Sequence, residues 1–344
     1  MMNNRCLALY SGGLDSIVSV KLMQDQGIDV IPLYFATPFF GLPALLDPEL
    51  FRQGHLKNYN IQIHLIDYTD DFIEMIAKPL HGFGKHLNPC IDCKIGMLKK
   101  THTLLTAMHA SFVITGEVLG QRPMSQRRDA MHIIERDSGL KDILLRPLCA
   151  HHMPPTLPER IGIVNRGALL EIAGRGRKIQ EDLARSYGIT NIPTPAGGCL
   201  LTYEQIAAKV RQTFERCAPQ LPSRYDILLD VVGRKFMLDA VTVLMVSRNE
   251  HENNIICRLT CPGNIFLKIA GIPGPLCILR GNITRENLEK ASSICLRYSK
   301  ARGKSMFKAL WGITPYAMDQ SVDTRILSDN VIKGFQVEGN RSRT

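Results

Sequence analysis

Short aliphatic and β-branched runs alternate with amphipathic stretches through the first 150 residues. The alternation predicts strands at 6–10, 30–35, 61–66, 112–115 and 143–145, with helices at 16–26, 44–58, 70–78 and 94–108 between them. Gly27 sits where a left-handed residue would close the first helix. Strands separated by helices predict an α/β fold with a doubly wound parallel sheet. Pro147 and the cluster Pro154, Pro155 and Pro158 interrupt the rhythm, so the first domain is expected to span 1–150. The segment 151–220 reads as a linking region with helices at 178–187 and 203–216, and it carries Cys199. From 221 to 335 short strand-like runs dominate, ending in a helix at 285–301, which predicts a smaller α+β module.

Composition narrows the picture without deciding it. A chain of 344 residues, 45% hydrophobic, has enough apolar surface for two or three domains. The apolar stretch 30–46 contains Pro32, Pro38, Gly41 and Pro43, which would break a spanning helix, so no membrane role is expected. The first residues are too short of apolar positions for a secretory segment, and a cytoplasmic location is expected. The formal charge of +10 suits a polyanionic partner such as nucleic acid, but it equally suits a merely basic protein. Ten cysteines in a reducing compartment do not predict a disulfide framework. Cys6, Cys149, Cys217, Cys277 and Cys295 stand singly and read as small core residues.

The strongest chemical signal lies between the first strand and the first helix, in Ser11-Gly12-Gly13-Leu14-Asp15-Ser16. Paired glycines let the backbone approach an anion, and a helix N-terminus aims unpaired N–H groups at it. Ser11 and Ser16 can add hydroxyl donors, and Asp15 can help hold Mg²⁺. The competing reading is a simple helix cap by Ser or Asp, which the strand–loop–helix context disfavours. The hexapeptide resembles the PP-loop of the ATP pyrophosphatase superfamily, with its adenine nucleotide alpha hydrolase-like fold. It lacks the lysine of a P-loop. Gly303-Lys304-Ser305 is a decoy, since Tyr298 stands where a P-loop needs its first glycine. The resemblance implies cleavage of ATP between its α and β phosphates, with ATP bound by Ser11, Gly12, Gly13, Asp15, Ser16 and Gly116.

Further segments resemble tRNA-thiolating members of that superfamily. Thr115-Gly116-Glu117-Val118-Leu119-Gly120-Gln121 with Ser125-Gln126 is similar to tRNA 4-thiouridine synthetase, with one residue inserted between Gln121 and Ser125. Asn88-Pro89-Cys90-Ile91-Asp92-Cys93-Lys94 resembles the tRNA-specific 2-thiouridylases, which have a cysteine at the place of Cys93. Cys199, after Gly197-Gly198, falls where that family's second functional cysteine would lie. Cys90 and Cys93 begin a predicted helix, whose dipole favours thiolates. With Cys199 they give the two-plus-one pattern of thiolases that hold a [4Fe-4S] cluster on three cysteines, leaving one iron open. Two other readings stay open. Cys93 and Cys199 alone could form a persulfide-carrying pair, or Cys90 and Cys93 could join Cys257 and Cys261 around zinc.

The resemblance therefore implies a tRNA uridine sulfurtransferase with Asp15, Cys93 and Cys199 as catalytic residues and Cys90, Cys93 and Cys199 as metal ligands. ATP, Mg²⁺ and the cluster are its expected cofactors. Its partners are tRNA and a sulfur donor, sulfide or a persulfide carrier. Arg175, Arg177 and Lys178 are candidate RNA contacts, against the plainer reading of a solvated helix start. The stretch Gly271-Ile272-Pro273-Gly274-Pro275 and the helix through Leu288 to Arg302 resemble a diverged NFACT RNA-binding domain. The alternatives are a PP-loop ligase or amidotransferase acting on a small molecule, and a non-catalytic RNA-binding protein that senses nucleotide.

Overall fold

A computed structural model describes residues 2–194, 198–301, 307–324 and 326–337. Gly197 and Gly303-Lys304-Ser305 lie outside them. The chain divides into two compact units, Met1–Cys199 and Leu200–Thr344.

The first unit is a five-stranded parallel sheet flanked by helices, the doubly wound α/β architecture expected. In chain order it runs β1 (Arg5–Leu9), α1 (Leu14–Asp25), β2 (Asp29–Ala36), α2 (Leu42–Leu46), α3 (Pro48–Tyr59), β3 (His64–Asp67), α4 (Thr69–Ala77), α5 (Cys90–Ala107), β4 (Phe112–Thr115), α6 (Arg128–Asp137), β5 (Leu144–Leu145), α7 (Leu157–Arg160) and α8 (Lys178–Ser186). The strand order is β3-β2-β1-β4-β5. Leu9 pairs with Leu33 of β2 on one side and with Thr115 of β4 on the other. The chain leaves β1 toward β2 but reaches β4 on the opposite side, so the direction of winding reverses between β1 and β4. Crevices at the carboxyl ends of such strands are where open α/β sheets bind ligands.

The expected helix 44–58 is two helices. Asp47 breaks it, and its side chain accepts the Leu50 N–H as the cap of α3, with Pro48 opening the new helix. The segment read as a linker from 151 packs into the first unit up to Cys199. Val164, Leu169, Ile172, Ala184 and Ile189 join its core. Leu119 and Ala173 form a parallel bridge, and the Ile172 N–H donates to Leu148 O at 2.8 Å. The prolines misled because they begin elements here: Pro147 opens a 3₁₀ turn and Pro158 lies in the first turn of α7.

The second unit comprises α9 (Glu204–Cys217), α10 (Arg224–Val231), β6 (Arg234–Met237), β7 (Val243–Val246), α11 (Glu250–Arg258), β8 (Asn264–Ile269), β9 (Cys277–Arg280), α12 (Arg285–Arg297), β10 (Phe307–Gly312), β11 (Gln320–Thr324) and α13 (Asp329–Phe335). Its six strands are antiparallel in the order β11-β10-β8-β9-β7-β6. Leu288, Ala291, Ile294 and Cys295 of α12 bury one face against Leu244, Leu267 and Leu279 of the sheet. Buried Lys235 is matched by Asp230 Oδ1 at 2.7 Å and Lys209 O at 3.0 Å, so its charge is paired rather than stranded. The last two strands and α13 follow the helix with which the sequence reading ended. No helix among the described residues is long and apolar enough to cross a membrane.

Candidate functional site

The loop after β1 is built by its own sequence. Gly12 has φ +73°, and a Cβ there would meet the His55 ring at 2.9 Å. Gly13 is the cap residue of α1 and supplies no side chain, so Ser or Asp capping does not account for the motif. Ser16 Oγ donates to Gly13 O at 2.8 Å and accepts the Ser11 N–H at 3.3 Å, which folds the loop back on the first turn of the helix. Gly116, following β4, forms the opposite wall: a Cβ there would lie 2.6 Å from Ser16 N and 2.7 Å from Asp15 C. Side chains at 12 or 116 would displace neighbours, and at 116 those neighbours are the loop's own backbone.

Asp15 is half-buried, and its Oδ1 has no hydrogen-bond partner. Burial raises its pKa, against the opposing pull of the Gln121 and Gln180 amides and the charges of Arg177 and Arg122. Gln121 closes the segment Thr115–Gln121, Arg122 and Gln180 belong to no recognised motif, and Arg177 is a candidate RNA contact from sequence. The Arg177 charge bears on Asp15, and its guanidinium donates to Pro193 O at 3.0 Å. Arg175 and Lys178 are exposed.

Cys90 and Cys93 occupy the first turn of α5, as the spacing predicts. At Cys93 the packing around the sulfur opposes the helix start. Burial pushes its thiol up, Cys199 adds to the push, Lys94 opposes it, and Cys90 contributes a smaller rise. Desolvation outweighs the helix dipole. The same influences show that Cys199 and Cys90 lie within electrostatic reach of Cys93. The intervening Asp92 serves the preceding loop: it accepts the Leu80 and His81 N–H groups at 3.1 and 2.9 Å. His81 has two carboxylate partners. Its Nδ1 is 3.0 Å from Asp92 Oδ1 and its Nε2 is 3.3 Å from Asp137 Oδ2.

Asn88 was quoted only as part of a resemblance, yet its Nδ2 donates to Cys90 Sγ at 3.4 Å and to Met124 Sδ at 3.3 Å. Glu117 is buried beneath the loop and ties β4 to the cysteine helix. It accepts from Thr115 Oγ1 at 3.0 Å and Arg146 Nε at 3.2 Å, and Lys94 Nζ lies 3.8 Å away. Burial would raise its pKa, but the Lys94 and Arg146 cations hold it below the usual carboxylate range. Among the described residues, no three His, Cys, Asp or Glu side chains are arranged to hold a single metal ion. Cys261 is engaged locally, donating to Pro262 O at 3.4 Å.

Residues 1–153 match the family described as thiamine biosynthesis protein (ThiI), and residues 233–335 match the NFACT protein RNA binding domain. A probable tRNA sulfurtransferase of Thermococcus kodakarensis is 30% identical over 145 residues, covering 42% of this chain and 36% of that protein. The tRNA-specific 2-thiouridylase MnmA of Sulfurimonas denitrificans is 29% identical over 150 residues, covering 41% of this chain and 40% of that protein. The chain thus spans well under half the length of these relatives. A U34-tRNA thiolase, NcsA of Methanococcus maripaludis, solved with its [4Fe-4S] cluster, overlaps 67% of this chain and 72% of its own at 14% identity and TM-score 0.31, a likeness that carries no argument. The resemblance of residues 1–153 to the PP-loop tRNA-thiolating families, and of residues 233–335 to the NFACT RNA-binding domain, is shown by these matches.

Proposed function

We propose that this chain is an ATP-dependent tRNA uridine thiolase. The observation that carries the reading is the phosphate loop at the reversal point of the parallel sheet, in the same unit as the cysteine cluster. An open phosphate loop carries the unpartnered Asp15 Oδ1, and the same unit brings Cys93 within reach of Cys90 and Cys199.

In this reading Ser11, Gly12, Gly13 and Ser16 hold the phosphates of ATP, with Gly116 keeping the loop closed against β4. The orphaned, half-buried carboxylate oxygen of Asp15 fits a divalent cation, which Asp15 would hold. Mg²⁺ there would neutralise charge on the departing pyrophosphate. Arg122 and Arg177 act on the same charge. A uridine carbonyl oxygen attacks the α-phosphorus, the bond to the bridging oxygen breaks, and pyrophosphate leaves. Sulfide then attacks the activated carbon, the C–O bond breaks, and AMP leaves with the former carbonyl oxygen. A persulfide donor would additionally require a thiol to reduce its S–S bond.

Cys90, Cys93 and Cys199 fit a [4Fe-4S] cluster better than a single ion. The donor set is three free cysteines with no histidine or carboxylate among them, the ligand type of such clusters. The cluster would supply an open iron for external sulfide. Asn88 would then hydrogen-bond a ligand sulfur, and Lys94 would offset the negative charge of the thiolates. Arg175, Lys178 and the NFACT-like residues 233–335 would hold RNA.

The test is mass spectrometry of tRNA nucleosides from a strain lacking the protein. Disappearance of one thionucleoside, restored by the wild-type chain and not by Asp15→Ala, supports the proposal. An unchanged set of thionucleosides refutes it.

A further inference from the structure

We infer that the connection between α4 and α5, residues 78–86, is an RNA-binding face of the cysteine site, on which Phe83 and Leu80 take an unstacked base of the tRNA and Lys78 and Lys85 hold its phosphates. The inference rests on the thiolase reading above and adds a recognition surface to it.

Single exposed apolar side chains are ordinary and by themselves mean nothing. This loop differs because its backbone is held in place while its side chains are left to solvent. Asp92, between the two cysteines, has a side chain only 7% exposed, and both of its oxygens serve the loop through the Leu80 and His81 N–H groups and the His81 ring. Asp137 takes the other nitrogen of that ring. At the far end Asn88 O accepts the Gly84 N–H at 2.9 Å, and Asn88 Oδ1 accepts the His86 N–H at 3.3 Å. Gly84 lies so close that a Cβ there would meet Asn88 Nδ2 and Met124 Sδ at 2.4 Å. The same Asn88 amide donates to Cys90 Sγ. The loop is thus tied to the cysteine helix at both ends. Yet Leu80 is 83% exposed and Phe83 is 41% exposed.

The charges select the occupant. No Asp or Glu lies between Glu74 and Asp92. Lys78 and Lys85 are exposed and form no ion pair among the described residues. An apolar surface flanked by unpaired ammonium groups suits a base with its phosphates, since every base offers a face for stacking and the backbone beside it carries the charge. The proposed chemistry requires such a surface. A uridine whose carbonyl is to meet both ATP and sulfur has to leave its stack, and unstacking is unfavourable. An aromatic ring on a loop fixed to the cysteine helix offsets that by stacking on the displaced base or its neighbour.

Filter binding measures the affinity of the full-length protein for tRNA purified from a strain lacking it, over a range of salt concentrations. The proteins compared are wild type, Phe83→Ala, Phe83→Trp and the double variant Lys78→Gln with Lys85→Gln. Phe83→Ala should weaken binding about fivefold or more, and Phe83→Trp should keep it. The double variant should flatten the dependence of log affinity on log salt by ~0.7 for each lysine. ATP affinity, melting temperature and iron bound after anaerobic reconstitution should stay at wild-type values in all three variants, because the exchanged side chains lie at the surface.

Wild-type tRNA affinity in Phe83→Ala, or an unchanged salt dependence in the double variant, overturns the inference. So does a loss of affinity accompanied by lost iron or a lowered melting temperature, which would mark the loop as a support of the fold. If thionucleoside formation falls while tRNA affinity holds, the face docks a protein sulfur donor, and the inference is again overturned. A wild-type chain that binds no tRNA refutes the functional reading itself, and the inference falls with it.

Discussion

Acid should loosen the phosphate loop through His55, a residue that no motif marks. Its ring lies on α3 against Tyr10, Phe51, Tyr59 and Tyr34, with centroids 5.4, 4.7, 5.6 and 6.0 Å away. Its Nδ1 is 3.0 Å from the Tyr10 hydroxyl. Burial lowers its pKa from 6.5 to about 4. The folded chain thus resists a proton that the unfolded chain accepts, so stability present above pH 6.5 is lost as pH falls toward 4. At about 1.36 kcal/mol per pH unit the gap corresponds to ~3.4 kcal/mol at most. The ring is only half-buried, and solvent screening reduces this to about 1–2 kcal/mol. Somewhat more than half of the effect should be visible at pH 5. Tyr10, Tyr34 and Tyr59 are all pushed up by burial and do not titrate in this window. The assay is urea unfolding of wild type and His55→Phe at pH 7, 6 and 5. The phenyl ring keeps the aromatic packing, and losing the Tyr10 contact gives an offset independent of pH. Wild type should lose about 1 kcal/mol more than the variant between pH 7 and 5. Parallel stability curves for the two proteins would refute the reasoning.

Gly116→Ala places a methyl 2.6 Å from Ser16 N, so the loop backbone must move. ATP affinity measured by calorimetry should fall about tenfold or more with the circular dichroism spectrum unchanged, and wild-type affinity would count against the loop as the site. Arg146→Met removes the cation between Glu117 and Glu135 and leaves Glu117 with Lys94 as its remaining cation. Unfolding stability should drop by about 3–5 kcal/mol, and a loss below about 1 kcal/mol would show that the buried network is not under this constraint. Cys90→Ala should lose bound iron after anaerobic reconstitution while ATP binding persists; full iron retention would end the three-cysteine arrangement.

The parts of the fold legible in the sequence are those whose burial is decided locally. Phe112–Thr115 forms at the expected residues because the run is aromatic and β-branched and fully buried, with Gly116 following it. β3 starts at His64 rather than 61, although Ile61 and Ile63 are buried, because only Leu33 to Ala36 of β2 offer it a ladder. That limit belongs to the partner strand. Helix α6 was not expected, since its Arg-, Asp- and Glu-rich sequence buries only Ala130, Met131 and Ile134. Those few contacts come from the fold rather than from propensity. Beyond α12, β10 gains its inner partner from β8, some forty residues earlier, and β11 then pairs with β10, which periodicity within a window cannot register.

The same distinction divides the candidate site. Ser11 to Ser16 and the Cys90–Cys93 pair were legible because each needs only its neighbours in the chain: a strand running into a helix, or two thiols one turn apart. Gln121, Arg122, Arg177 and Gln180 bear on Asp15 only because residues 116–126 and 173–180 are bridged at Leu119 and Ala173. Their residue types are ordinary for a polar loop and a helix start, and local context assigned Arg177 to RNA. Cys93 shows the converse. The helix start that makes its motif recognisable predicts an activated thiolate, but atoms packed around the sulfur reverse the direction of the shift. Sequence therefore marks where nucleotide and sulfur chemistry are expected, while the packed fold decides which other side chains surround each group.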